Sequence, residues 1–347
     1  MFGKNIKYYR LMKGLTQETL AAQLGVNSMT ISNYENDKRT PDIATLRKLA
    51  AALNVPIGKL TESVDSNTDV VHGAFRKNSS MTKAAQEMIL GYLDRYINRL
   101  FTIVSFLGVA ALPPAPYFNR ICVEGNDAAS YEMAAGHLRQ MLNLPLSGPV
   151  GNITDILENK GFIICPIPID EHHFSGNSGM VGDRPYIAVN TTMTAERQRF
   201  TLIHELVHLA FTFPAGFNEE HVVDGIAGAF LLPADDIKRE LGLYRHDILL
   251  GDLRLIQQEY AVSMASIIMR AHQCEIISEP TYKRTQIWLS ESGLRRSEQS
   301  GMMAEESHLL RQLALRAVAE EDITMSRAAE LLDMPIVEVR ELCCGGV

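Results

Sequence analysis

Cysteine is scarce and scattered in this 347-residue chain: Cys122, Cys165, Cys274, Cys343 and Cys344 are odd in number and show no paired ligand spacing. That excludes a disulfide framework and a zinc knuckle, and it fits a reducing compartment. Long apolar runs are missing too. The strongest, residues 104–112, falls far short of the roughly 20 residues a bilayer crossing needs, so no membrane partner is expected. Lys4, Lys7 and Arg10 interrupt the opening residues, which removes the apolar core of a signal peptide and points to the cytoplasm. No repeat of solenoid period occurs. What is present is a chain with 46% hydrophobic residues, long enough for two or three domains with cores of their own.

Charge is distributed unevenly. The first 63 residues hold nine Lys and Arg against five acidic residues, net +4, while the rest is −12 within a total of −8. In that basic segment, Leu15-Thr-Gln-Glu-Thr-Leu-Ala-Ala-Gln-Leu-Gly-Val-Asn-Ser-Met-Thr-Ile-Ser-Asn-Tyr-Glu35 reads as two short helices joined at Gly25. Thr16 is placed to cap the first helix and Ala21 is small enough for a close crossing. Gly25 permits a left-handed turn, and Ile31 anchors the second helix in a core. The pattern is a helix-turn-helix, and the charge favours double-stranded DNA as its partner over a scaffold role. Over residues 2–62, including Lys38-Arg-Thr-Pro-Asp42 and Leu46-Arg-Lys-Leu-Ala50, it resembles the Xre family of phage-repressor-like DNA-binding domains. The resemblance implies that Ser28, Met29 and Asn33 face base edges and that Gln17 meets the DNA backbone, with Lys38 and Arg39 among the contacts. Asn33 suits adenine and Met29 a thymine methyl.

His204, Glu205 and His208 form an H-E-x-x-H box in Arg197-Gln-Arg-Phe-Thr-Leu-Ile-His-Glu-Leu-Val-His-Leu-Ala210. On a helix, histidines four residues apart point the same way and can take two corners of a tetrahedral Zn²⁺. Glu205 then lies beside the ion, placed to take a proton from the attacking water and pass it to a leaving amine. With 10 His in the chain the box arises by chance in roughly 2% of shuffled sequences, so its setting matters. Phe200, Ile203, Val207 and Ala210 recur at helical spacing on another side and predict a buried face, which leaves the histidines for a cleft. Catalytic zinc needs a third protein ligand. Glu220 and Asp224 share a helix face, so Glu220 fits the metal while Asp224 accepts the free N–H of one histidine; Glu219 and His221 are alternatives.

These two segments, with Ile-Ala-Gly-Ala-Phe-Leu-Leu-Pro233, resemble the ImmA/IrrE family of zinc metallopeptidases. Upstream agreement comes from Phe75-Arg-Lys, Pro149-Val-Gly-Asn-Ile-Thr-Asp-Ile-Leu-Glu-Asn-Lys-Gly161, Phe174-Ser-Gly and Arg184-Pro-Tyr-Ile-Ala-Val-Asn190. Most of residues 70–290 is covered. The resemblance implies a gluzincin-like fold with His204, His208 and Glu220 as ligands and Glu205 as base. One departure is that Gly225 and Ile226 stand where the family commonly has arginine and phenylalanine, which bears on helix packing. Arg184-Pro-Tyr-Ile-Ala-Val-Asn190 alternates like a strand; it is either an edge against which an extended peptide lies or an interior strand. Tyr260, His221, Arg270, His272 and Tyr282 are the possible oxyanion partners.

The expected organisation is a helix-turn-helix domain at 1–64, a polar linker at 65–80, a metallopeptidase domain at 81–285 and a helical C-terminal module at 286–347. The fold class is α+β, mainly α: an all-α N-terminal domain, a gluzincin-like domain with a small sheet, and a helical C-terminal segment. Residues 326–342 echo a helix-turn-helix, with Ala329 and Val339 spaced like Ala21 and Ile31. Asp333 replaces the turn glycine, and Glu338 and Glu341 would repel phosphates, so a packing or partner-binding role is expected. One helix-turn-helix reads too short a site for specificity, which predicts a homodimer, with Leu309, Leu310, Leu313, Leu315 and Val318 as its expected contact. Two functions follow. One is a DNA-binding protease that cleaves a protein partner, such as a phage-type repressor at an operator. The other is a regulator or toxin–antitoxin component whose zinc is structural or sensory.

Overall fold

The computed structural model describes residues 2–61, 70–72, 81–116, 119–171, 173–294 and 301–344. Most of the expected linker and the Phe75-Arg-Lys segment lie outside the described residues. Seventeen α-helices and two small sheets occur among those described, so the chain is α+β and mainly helical. Contacts divide it into two compact units, one of residues 1–70, 74–109 and 313–347, the other of 71–73 and 110–312. The division cuts differently from the expected boundaries at 81 and 285. The long helix Lys83–Leu107 and the end of the chain belong with the helix-turn-helix.

In the first unit, helices Gln17–Leu24 and Ser28–Glu35 are joined as the sequence predicts. The Thr16 hydroxyl accepts the Thr19 amide at 3.0 Å, and Gly25 sits at φ 72°, the left-handed region that glycine enters without a Cβ penalty. Ile31, fully buried, packs with Ile6, Leu20, Leu49 and Leu60. Asn27 caps the second helix by accepting the Thr30 amide at 2.8 Å.

Beneath these helices runs a buried ion pair. Arg10 Nε and Nη2 donate to the two Glu35 oxygens at 2.5 and 3.0 Å, and Gln17 donates to Glu35 Oε2 at 2.7 Å. Removing one member of such a pair strands a charge and typically costs about 3–5 kcal/mol. Glu35→Ala is therefore expected to lower the melting temperature of the first unit by many degrees, whereas Lys38→Ala on the surface should leave it unchanged. Calorimetry of the two variants checks this, and equal melting would refute it.

Helix Lys83–Leu107 packs on Phe2–Met12 in the same unit. Gly91 permits the approach, since a Cβ there would stand 2.8 Å from the Tyr8 ring. Arg95 lies over the Tyr8 ring at 4.4 Å and donates to Asn5 Oδ1 at 2.7 Å. At the chain's end, Met325–Leu332 and Ile336–Cys344 do form a second helix-turn-helix. Asp333 adopts φ 56°, the conformation of Gly25, while its carboxylate accepts from Lys59 Nζ at 2.7 Å. The glycine is thus replaced by a residue that tolerates the turn and fastens it to the first helical bundle. The apolar stripe expected to form a dimer is largely used up within the chain. Leu309, Leu310 and Leu313 are buried, and Leu315 and Val318 are partly so.

The second unit is built on a sheet ordered Val70–His72, Gly176–Val181, Arg184–Asn190, Ile163–Ile167. Ile163–Ile167 runs parallel to Arg184–Asn190, and Gly176–Val181 runs antiparallel to it. Arg184–Asn190 is therefore interior and buried along its whole length, which overturns its reading as a peptide-binding edge. The outer edge of Gly176–Val181 is itself covered by Val70–His72. Helices Ala128–Met141, Ala195–Ala210 and Glu219–Leu231 share one apolar core with the sheet.

Candidate metal centre

Ala195–Ala210, capped by Thr194, carries the H-E-x-x-H box. Its burial is wider than one stripe. Leu202, Ile203, Leu206 and Val207 are all buried, whereas Phe200 is half-buried beside the His204 ring. Enclosure on nearly every side fixes the helix axis and leaves little freedom at His204, which is 2% exposed. Glu219–Leu231 starts at Asn218, whose side chain accepts the His221 amide, and it lies against the histidine helix. Gly225 makes this packing possible in a way the sequence did not reveal. A Cβ there would stand 2.5 Å from the Tyr131 ring, so the aromatic face occupies the space a side chain would fill.

Three donor atoms converge. His204 Nε2 lies 3.2 Å from His208 Nε2 and 3.4 Å from Glu220 Oε2, and His208 Nε2 lies 3.7 Å from Glu220 Oε1. Zinc bonds of about 2.0–2.1 Å place tetrahedral corners about 3.3 Å apart, so this donor set fits the ion that the family resemblance implies. His204, His208 and Glu220 are the group among the described residues whose ligand atoms all approach within 4.8 Å.

The outer nitrogens are held as well. His204 Nδ1 is 2.8 Å from Asp224 Oδ1, and His208 Nδ1 is 3.1 Å from Glu219 Oε1. Each carboxylate fixes a tautomer that turns Nε2 to the centre. Sequence reasoning placed Asp224 in this role but offered Glu219 as a ligand. The structure puts Glu219 behind His208 and turns His221 to the edge of the Tyr131 ring. Burial pushes the His204 imidazole toward neutrality, but its hydrogen bonds to Asp224 and Glu220 and the charge of Glu205 outweigh it and raise its pKa.

Glu205 is 7% exposed, and its Oε2 accepts from the Ser178 hydroxyl at 2.8 Å. Ser178 was missed, because a serine 27 residues upstream in a separate strand carries no spacing signal. Gly176 brings that strand close, since a Cβ there would meet the Thr201 side chain. Ser178→Ala is expected to leave the donor triad unchanged while lowering any Glu205-dependent activity by about tenfold, the worth of one hydrogen bond to a charged group. An unchanged rate would remove Ser178 from the site.

Of the residues considered for an oxyanion, two are committed elsewhere. Arg270 donates to the Leu232 carbonyl, Gln273 and Glu132, while Tyr260 accepts from Arg239 at 2.5 Å. His272 stacks on Tyr282 and pairs with Glu279 at 2.9 Å. In the first unit, Ser28, Met29, Lys38 and Arg39 are exposed and Asn33 half-buried, while Gln17 is half-buried and bonded to Glu35.

Comparison with known proteins agrees with both halves. A helix-turn-helix family model matches residues 6–60, and an IrrE N-terminal-like domain matches residues 158–272. The chain is 36% identical over 90 residues to the HTH-type transcriptional regulator ImmR of Bacillus subtilis, covering 25% of this chain and 66% of that protein. It is 35% identical over 69 residues to the cryptic phage CTXphi transcriptional repressor RstR of Vibrio cholerae, 20% of this chain and 62% of the repressor. It is 37% identical over 65 residues to the uncharacterized HTH-type transcriptional regulator y4dJ of Sinorhizobium fredii, 19% of this chain and 84% of the relative. The chain spans less than two thirds of the length of ImmR and RstR. No helix among the described residues is long and apolar enough to cross a membrane.

Proposed function

Because the chain belongs to the helix-turn-helix family of transcriptional regulators and carries an IrrE N-terminal-like domain, we propose that it is a DNA-binding regulatory zinc metalloendopeptidase that cleaves a protein partner. A phage-type repressor is the proposed substrate, and its loss would alter transcription. The observation that carries this reading is the convergence of His204, His208 and Glu220 beside a glutamate that a serine holds in place.

Bound by those three residues, zinc supplies Lewis acidity to a substrate carbonyl and brings the pKa of water to about 7. The chain's own residues do the rest. Asp224 and Glu219 accept from the outer ring nitrogens and keep both imidazoles aimed inward. Glu205 takes the proton of the attacking water and returns it to the leaving amine, and its hydrogen bond from Ser178 stabilises the charged carboxylate that starts the cycle. Near-complete burial of Glu205 strengthens these interactions by excluding competing water.

The relatives' names describe regulators, which favours a second reading in which the metal is structural or sensory. Glu205 separates the two, because a structural centre has no use for an acid–base carboxylate so placed. Proteomic labelling of new N-termini in cells expressing wild type or Glu205→Gln tests the proposal. One protein cleaved only in wild-type cells is the expected result; identical N-terminal profiles would overturn it.

A further inference from the structure

The strand Gly176–Val181 comes down on the histidine helix beside the acid–base glutamate. Its Ser178 hydroxyl donates to Glu205, and a Cβ on Gly176 would meet the Thr201 side chain and stand 3.4 Å from Glu205 Cγ. Around the axis of that helix, where successive residues turn by about 100°, three sets of side chains follow one another. Leu202 lines one cavity with Ile164 and Val189 of the inner strands. Thr201, about 100° from Leu202, faces Gly176–Val181. His204 lies about 60° further in the same sense. The sheet runs in the matching order: Ile163–Ile167, Arg184–Asn190, Gly176–Val181 and then Val70–His72. Whatever pairs with the outer edge of Gly176–Val181 therefore lies on the side of the helix that carries the metal ligands.

That edge is taken by the chain itself. Val71 and His72 belong to the second unit, and their close approach depends on Gly179, where a Cβ would meet the Val71 carbonyl oxygen. The hold is weak. Three residues make this strand against six in Gly176–Val181, and the Val71 side chain is 66% exposed, so it buries little apolar surface. A longer extended segment could pair along all six positions and gain main-chain hydrogen bonds that the short strand does not make.

We propose that the outer edge of Gly176–Val181 is where a polypeptide substrate docks as an added strand beside the metal centre, and that Val70–His72 closes this edge until the substrate displaces it. The substrate as occupant rests on the proposed peptidase reading, whereas closure of the edge by the chain's own strand does not.

The test is the binding of a fluorescein-labelled peptide, Thr-Asp-Val-Val-His-Gly-Ala-Phe, which copies residues 68–75, to the full chain, followed by anisotropy. Neighbouring N–H groups on a strand point to opposite edges, so Val70→Pro/Val71→Pro removes a ladder donor whichever register the strand keeps. Val70→Gly/Val71→Ser loosens the strand by a second route, and Val70→Thr/Val71→Thr retains both donors and the strand preference. The proline and glycine–serine variants should bind the peptide at least about tenfold more tightly than wild type, the gain expected when an edge closed about nine-tenths of the time is opened. The threonine variant should bind like wild type. Equal binding by all four proteins, absence of binding included, would overturn the inference, and so would a gain in the threonine variant. Cleavage of the partner identified by N-terminal labelling should rise by a similar factor in the two opened variants, and the peptide should inhibit it competitively. Raised cleavage that the peptide leaves uninhibited would overturn this edge as the docking site. Tighter peptide binding in the opened variants, with no turnover by them or by wild type, would leave the closed edge standing while the peptidase reading fails.

Discussion

Glu205→Gln is expected to keep one zinc per chain and to reduce peptide cleavage by about 10²–10⁴-fold, the range typical of a lost general acid–base group. His204→Ala is expected to lose both metal and cleavage. The contrast follows from geometry. His204 Nε2 is shared between contacts of 3.2 and 3.4 Å to the other two donors, so its removal opens one corner of the site. Glu205 contributes no atom to that cluster and is tied to Ser178. Metal analysis after dialysis, paired with cleavage of the protein identified by N-terminal labelling, distinguishes the variants. Stoichiometric zinc in His204→Ala would sink the ligand assignment, and full activity in Glu205→Gln would sink the mechanism. Acid should release the ion in wild type. The raised pKa of His204 means that zinc must displace a proton, so affinity falls as pH drops through that raised value and recovers above it.

The parts of this site readable from sequence were those encoded by short periodicity. His204 and His208 share a face because a helix repeats near every fourth residue, and Glu220 with Asp224 obeys the same rule. Contacts fixed by tertiary packing left no such trace. Ser178 reaches Glu205 from another strand, and Tyr131 fills the space above Gly225 from a helix far upstream. The strand Arg184–Asn190 carries a signal of its own. Its Pro-Tyr-Ile-Ala-Val core is an unbroken apolar run, which marks a strand covered on both faces better than an alternating edge. The neighbour of helix Lys83–Leu107 was not legible, because an amphipathic pattern states that one face is buried without naming the partner. In the C-terminal repeat, the aspartate at 333 obscured the turn. Its left-handed backbone is tolerable for Asp, and the Lys59 contact gives the residue a second use.

The full chain is expected to bind a pseudo-palindromic duplex as a homodimer, with half-sites about one helical turn, roughly 34–36 Å, apart. The first unit supplies the means. Ser28 and Met29 open the second helix of the motif in exposed positions, Met29 at 65%, and Lys38 and Arg39 follow its end, also exposed. Asn27 and Gly25 fix where that helix starts and so the direction in which it presents these side chains. Lys38→Ala should weaken binding about equally on all sequences and lower the salt slope by about one, because a phosphate contact carries charge and no base information. Asn33→Ala should instead lose about 1–3 kcal/mol at one adenine while leaving nonspecific affinity unchanged. Gln17→Ala is more ambiguous as a probe, since its amide also braces Glu35, and its melting temperature must be measured beside its affinity. Leu309, Leu310 and Leu313 are buried within the chain, so truncating their helix should unfold the chain's end and not simply yield a monomer. Light scattering on the free and DNA-bound protein decides the stoichiometry. A monomer that footprints one symmetric site would refute the dimer, and binding insensitive to salt would refute the nucleic-acid role of this face.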